Sequence, residues 1–229
     1  MRIAYFVLIA PLLFAASAVA VQTSTESRTQ ESKQENSTTE AKSTEDGDLQ
    51  KSKWFKITPS DARASFDMPV KPRYVQRTFT PVENQPPITV NLHLGSVEGT
   101  ATTMVFGYND LAVKPNSPTA VSKVLDGAVR GSVTNVVGQL LDDPVKIKYE
   151  KHMGRAFAYA CIQSGKKFVC ISRVFIVEDR QYQITAIMGE EVFEKSIADR
   201  FLNSFKLEEA KPTTKPEAKD STIGSGQSK

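Results

Sequence analysis

Hydrophobic positions change period along this chain, and its elements follow from those changes. Residues 155–162, 168–177 and 182–188 are rich in β-branched and aromatic side chains, and turn residues separate them. They read as three strands in two tight hairpins. Gly165-Lys166 suits a two-residue turn with glycine at the position needing positive φ, and Asp179-Arg180 makes the second turn. Side chains alternate across strands. One face then carries Ala158, Ala160, Ile162, Val169, Ile171, Phe175, Val177, Tyr182, Ile184 and Ala186, and is expected to meet the helices. The other carries Phe157, Tyr159, Cys161, Cys170, Ser172, Val174, Ile176 and Ile187, and is too apolar to be fully wet. After Gly189 the period becomes four. Phe193, Ile197, Phe201 and Phe205, with Ala198 and Leu202 beside them, form a helix stripe. Glu190 and Glu191 suit its first turn, where the helix dipole favours negative charge.

Upstream, strands are expected over residues 54–57, 64–68 (stopped by Pro69 and Pro72) and 75–82. Ile88, Val90, Leu92 and Leu94 alternate with Thr89, Asn91 and His93, which predicts a half-buried strand over 88–96. A partner over 100–108 follows Glu98-Gly99. Ser117 as N-cap and Pro118 in the first turn start a helix. It runs to about Leu141 and ends at Asp142-Asp143-Pro144, before a strand over 145–150. Val121, Leu125, Ala128, Val129, Ser132, Val136 and Leu140 share one broad helix face at about 100° per residue. Gly127, Gly131 and Gly138 fall almost opposite. Each glycine costs a helix about 1 kcal/mol against alanine. The stripe reads two ways: as a flat surface where a partner's backbone approaches, or as tolerated surface glycines. In the second case alanine at each position stabilises by a few tenths to about 1 kcal/mol.

The ends of the chain differ in kind. Residues 1–20 hold Arg2, an apolar run too short for an ordinary membrane span, and the small-x-small site Ala18-Val19-Ala20. This is a targeting leader cleaved after Ala20. No cysteine follows the site, so no lipid attachment and no transmembrane anchor are expected, and the mature chain is exported to the periplasm or beyond. Residues 21–52 and 208–229 are polar, with too little apolar surface to offset ordering, and read as a disordered linker and tail. Residues 53–207 are the size of one domain. That core carries a formal charge of about +5 and the linker about −3, with no clustered basic stripe that marks a nucleic-acid surface. Two cysteines fit an oxidising compartment. The hairpin register predicted above sets Cys161 opposite Cys170 at a non-hydrogen-bonded pair, about 4.5 Å apart at Cα, and predicts a disulfide.

Few side chains offer chemistry. The only histidines, His93 and His152, lie on separate strands, which gives no metal site. Glu190-Glu191 and Asp142-Asp143 suit helix-terminal and turn positions. A Gly-x-Ser-x-Gly elbow, a phosphate loop and a dinucleotide fingerprint are all absent from the sequence, so no cofactor is expected. Arg155, Arg173 and Arg180 are candidate anion contacts along the sheet; the other reading is scattered edge and turn charges.

Strand, strand, hairpin, helix, four strands and helix form a layout that resembles the Mog1/PsbP-like superfamily, which includes the PsbP subunit of photosystem II, the Ran-binding Mog1 proteins and LpqN-type lipoproteins. The helix text Val124-Leu-Asp-Gly-Ala-Val-Arg-Gly131, the segment Arg173-Val-Phe-Ile-Val-Glu-Asp-Arg-Gln-Tyr182 and the ending Ala198-Asp-Arg-Phe-Leu-Asn-Ser-Phe205 also resemble secreted bacterial domains of planctomycete type. Where such domains show Gly-Arg-Glu-like text, this chain has Gly154-Arg155-Ala156. The resemblance covers about residues 53–207. It implies an α+β fold: a single α/β/α sandwich with a mainly antiparallel sheet and two principal helices. The PsbP and Mog1 members are non-enzymatic. The expected function is therefore a secreted, non-catalytic binding or scaffold domain of the cell envelope, with a protein or polymer partner. The rival is an envelope hydrolase using carboxylates at a loop cleft.

Overall fold

A computed structural model of the chain describes residues 53–79, 87–98 and 100–208. The leader, the linker, the tail beyond residue 208 and the end of the strand expected over 75–82 lie outside the described residues. The hydrophobic runs form a mainly antiparallel sheet with two principal helices, an α+β arrangement. Its main strands are β3 (Arg73–Phe79), β4 (Ile88–Val97), β5 (Thr102–Asp110), β8 (His152–Gln163), β9 (Lys166–Val177) and β10 (Arg180–Gly189), in the order β3-β4-β5-β10-β9-β8. Two short strands, β6 (Gln139–Leu140) and β7 (Val145–Tyr149), share the outer edge of β8. A second, three-stranded sheet joins β1 (Phe55–Ile57), β2 (Ala64–Met68) and β11 (Lys206–Leu207), with β2 in the centre.

The helix α1 (Pro118–Thr134) lies on one face of the large sheet, over β8 and β9. Ser117 caps it as expected, its Oγ accepting from the backbone N–H of Ala120 at 3.2 Å. Leu125, Ala128 and Val129 pack on Phe157, Tyr159, Cys161, Cys170, Val174, Ile176 and Ile187. On the opposite face lie β1, β2, β11 and the helix α2 (Lys195–Asn203). Ile197, Ala198, Phe201 and Leu202 of α2 and Phe66 of β2 bury Phe106, Phe175, Tyr182, Ile184 and Met188. Phe66 stacks on Phe106 with centroids 4.2 Å apart.

Helix boundaries differ from expectation for local reasons. The helix α1 stops at Thr134, not near Leu141. Gly138 N–H donates to Val133 O at 2.9 Å and Val137 N–H to Thr134 O at 3.1 Å, the crossed pair that closes a helix C-terminus. Val137 occupies the left-handed position at φ 51°, where glycine is the usual residue. Residues 139–140 can then turn back as β6. The helix α2 begins at Lys195; Glu190–Val192 is a separate 3₁₀ turn.

The β8–β9 hairpin also turns one residue earlier than expected. Ser164 and Gly165 both have positive φ, 50° and 75°, as a type I′ turn requires. Gln163 therefore faces Lys166, Cys161 faces Phe168, and Cys170 faces Tyr159. The second turn likewise sits at Glu178-Asp179, since Val177 faces Arg180.

Candidate functional site

Strand pairing sends the charged side chains to separate places. Arg155 and Arg173 lie on neighbouring registers, Arg155 opposite Val174 and Ala156 opposite Arg173, so the pleat sends the two arginines to opposite faces. Arg155 is buried beneath α1. Its Nε donates to Asp126 Oδ1 at 2.9 Å and its Nη2 to Ser122 Oγ at 2.6 Å. Arg173 caps α2, donating to Leu202 O at 3.2 Å and Asn203 Oδ1 at 2.8 Å. Arg180 grips Asp110 with both arms, at 2.6 and 3.0 Å, and lies over the Tyr108 ring. The expectation of three arginines meeting along the sheet is thus corrected: each is engaged by its own partner.

The carboxylates at the loop end are engaged too. Arg63 lies 3.8 Å from Glu178 and 3.7 Å from Asp179. The hydrogen bond from Arg180 holds the Asp110 carboxyl below its ordinary range, against a smaller opposing effect of burial. A general acid needs the reverse shift. Among the described residues, no three His, Cys, Asp or Glu side chains are grouped to hold a metal ion. His93 is buried among Phe66, Tyr74, Phe106 and Tyr108, and burial lowers its affinity for a proton, with Asp61 partly opposing.

The cysteine expectation is corrected in its geometry. Cys161 and Cys170 are both buried and unbridged. In the observed register they are diagonal neighbours, about 7–8 Å apart at Cα by strand geometry, beyond the comfortable span of a disulfide without backbone movement. The glycine stripe is corrected as well. Gly131 is buried, Gly127 half-buried, and Gly138 lies outside the helix. A Cβ on Gly138 meets the backbone O of Ala160 at 2.9 Å, so this glycine is required by close approach within the fold.

The feature that strand parity reveals is an open sheet face. On β8, Phe157, Tyr159 and Cys161 are buried under α1. The alternate residues Ala156, Ala158 and Ala160 are only half-buried, and Ile162 is 65% exposed. Val169 and Ile171 beside them on β9 are half-buried. Of seven exposed large apolar residues among those described, Val137, Leu140, Leu141, Val145 and Ile162 all lie around β6, β7 and the end of β8, and of these Leu140, paired with Tyr159, is on the α1 side. The expectation that this face meets the helices is corrected in part: Phe175, Tyr182, Ile184 and Ala186 are covered by α2, whereas the end holding Ala158, Ala160 and Ile162 stays open because α2 is short. Among the described residues, no helix is long and apolar enough to cross a membrane.

No protein-family model and no curated protein matches the chain. Among solved structures, it is similar to LpqN of Mycobacterium tuberculosis, a protein involved in cell envelope biogenesis, with a TM-score of 0.42 and 12% identity over 69% of this chain and 93% of LpqN. It is also similar to a protein of unknown function from Pseudomonas aeruginosa, a putative regulator, with a TM-score of 0.35 and 13% identity over 61% of this chain and 85% of that one.

Proposed function

We propose that this chain is an exported, non-catalytic binding or scaffold domain of the cell envelope, and that its interaction surface is the open face of β8 and β9 with the adjoining edge. The observation that carries this reading is the gathering of Val137, Leu141, Val145 and Ile162 at the sheet edge that borders the open face. Monomeric proteins rarely expose contiguous apolar patches without an interaction to serve. Val137 adds support. It is 94% exposed and β-branched in the left-handed region, a strained placement that brings the fold no burial and is a pointer to function. The loop-end carboxylates, engaged by Arg63 and Arg180, favour this reading over a hydrolase. The Ala18-Val19-Ala20 site supports export.

In-cell photo-cross-linking tests the surface. A photo-reactive residue at position 162 or 145 should give covalent adducts, and one at position 77, on the opposite sheet edge, should give few. Equal labelling at all three positions would overturn the proposal.

A further inference from the structure

We infer a second binding site, for an uncharged sugar chain, on the β3–β4 strip of the sheet face that carries α2. It is separate from the β8–β9 surface and does not depend on it. Strand parity places its residues. Tyr74, Gln76 and Thr78 of β3 lie opposite His93, Asn91 and Thr89 of β4, and this row shares a face with Phe66 and Phe106. Arg73 and Arg77 alternate with them and point to the other face. The strip therefore presents amides, hydroxyls and one aromatic ring, with no lysine or arginine of its own, over about 14 Å from Tyr74 to Thr78.

Tyr74 is the platform. It is 49% exposed. Its ring lies beside that of His93, with centroids 5.2 Å apart, and its Oη donates to Asn91 Oδ1 at 2.7 Å. Held at both ends, the ring lies along the strands with one face toward solvent. A side chain already fixed in one orientation loses little freedom on binding, and the negative face of an aromatic ring attracts the C–H face of a sugar. Polar groups are fixed around it. Gln76 Nε2 donates to Asn91 Oδ1 at 2.9 Å and to Tyr74 Oη at 3.3 Å. This orients both amides and leaves Asn91 Nδ2 as a donor and Gln76 Oε1 as an acceptor. Thr78 and Thr89 share a hydrogen bond at 3.2 Å and continue the strip. Sugar hydroxyls, each donor and acceptor, match this mixture.

A second observation points to a ligand. Beneath the platform His93 is 8% exposed, and its Nε2 has no hydrogen-bond partner among the described residues, which buried groups seldom tolerate. Burial favours the neutral imidazole, which can bond a hydroxyl once the half-exposed Tyr74 ring tilts. Charge decides the class of ligand. Asp61 is close enough to act on both His93 and Tyr108, and Asp110 lies on the same face two residues beyond Tyr108. Arg180, the cation on this face, is engaged by Asp110. Carboxylates at the border repel a phosphate or an acidic polymer and accept bonds from hydroxyls. The strip is too polar to hold an acyl chain.

Titration of the isotopically labelled secreted protein with cellotetraose, chitotetraose and mannotetraose, followed by amide chemical shifts, tests the inference. At least one of the three should bind at about millimolar or tighter and shift residues 74–78 and 89–93. Its affinity should change less than about twofold in about 0.5 M salt. Tyr74→Ala should weaken binding at least about tenfold while its thermal melt stays near wild type, and Tyr74→Phe, which keeps the ring, should retain more of the affinity. Arg77→Ala, on the other face of β3, should bind like the wild type. Absence of binding to all three sugars overturns the inference, as do shifts that map away from this strip or a Tyr74→Ala protein that binds like the wild type. Binding abolished by salt overturns the uncharged ligand. Cross-linking at positions 145 and 162 is unaffected by any of these outcomes, so the two surfaces are tested apart.

Discussion

The two faces of the β8–β9 ribbon are built from the same two strands and meet different surroundings. Phe157 and Tyr159, on the α1 side, are at most 5% exposed, while Ala158 and Ala160 between and beyond them remain half-buried. The difference lies in the lengths of the covers. With 17 residues, α1 spans about 25 Å, whereas α2 has nine and spans about 13 Å. Arg173 holds the C-terminal end of α2 over the Phe175 half of the ribbon, and nothing among the described residues extends that cover over Ala158, Ala160 and Ile162. A sheet face is therefore closed by the reach of the element above it as well as by its own side chains. The large aromatics sit where the cover is complete, and alanines where it is not.

The comparison can be broken from the sealed side first. Leu125→Ala removes the central α1 contact, a fully buried side chain, and should cost about 2–5 kcal/mol in chemical denaturation. Gly138→Ala places a methyl group against the Ala160 carbonyl and should cost about 1–3 kcal/mol. Its neighbour behaves oppositely: Val137→Gly relieves a left-handed β-branched residue and should stabilise by about 1 kcal/mol in the same assay.

Acid sharpens the contrast within the other face. His93 lies under the covered half, beside Phe66, and burial holds its imidazole below the ordinary 6.5. The folded value is thus below the unfolded one. This contribution is fully present above about pH 6.5 and is lost as pH falls through that value toward the folded one. His152 is shifted the same way by burial and by Lys151. Thermal melts should show stability falling below about pH 6.5, more shallowly in His93→Phe, with a residual slope from His152. A His93→Phe profile as steep as the wild type would contradict this assignment. The smallest expected effect on stability is that of Ile162→Asp, within about 0.5 kcal/mol of wild type.

Much of this arrangement was legible in the residues. Strand parity separated Phe157, Tyr159 and Cys161 from Ala158, Ala160 and Ile162, and Ser117-Pro118 marked the start of α1. The stripe Ile197 and Phe201 located α2, though Phe193 precedes the helix and Phe205 follows it. What stayed hidden depended on single backbone conformations. Nothing in Val137 announces a left-handed helix stop, so α1 looked about two turns too long and Gly138 looked helical. Glycine serves either position of a two-residue turn; moving the turn from Gly165-Lys166 to Ser164-Gly165 replaced the expected Cys161–Cys170 pair with Cys161–Phe168 and Tyr159–Cys170. The arginine grouping failed for a reason the pattern already held, since alternation alone puts Arg155 and Arg173 on opposite faces. Their partners Asp126 and Leu202 come from other elements, and no local pattern names them.

An aspartate scan along β8 tests the central claim most directly. With single substitutions at positions 157 to 162 and thermal melts of each, the account predicts alternation. Ala158→Asp, Ala160→Asp and Ile162→Asp should melt within a few degrees of wild type, while Phe157→Asp, Tyr159→Asp and Cys161→Asp should lose the cooperative transition. Uniform loss across both parities would show that the face carrying Ala158 and Ala160 is closed, and would contradict the account.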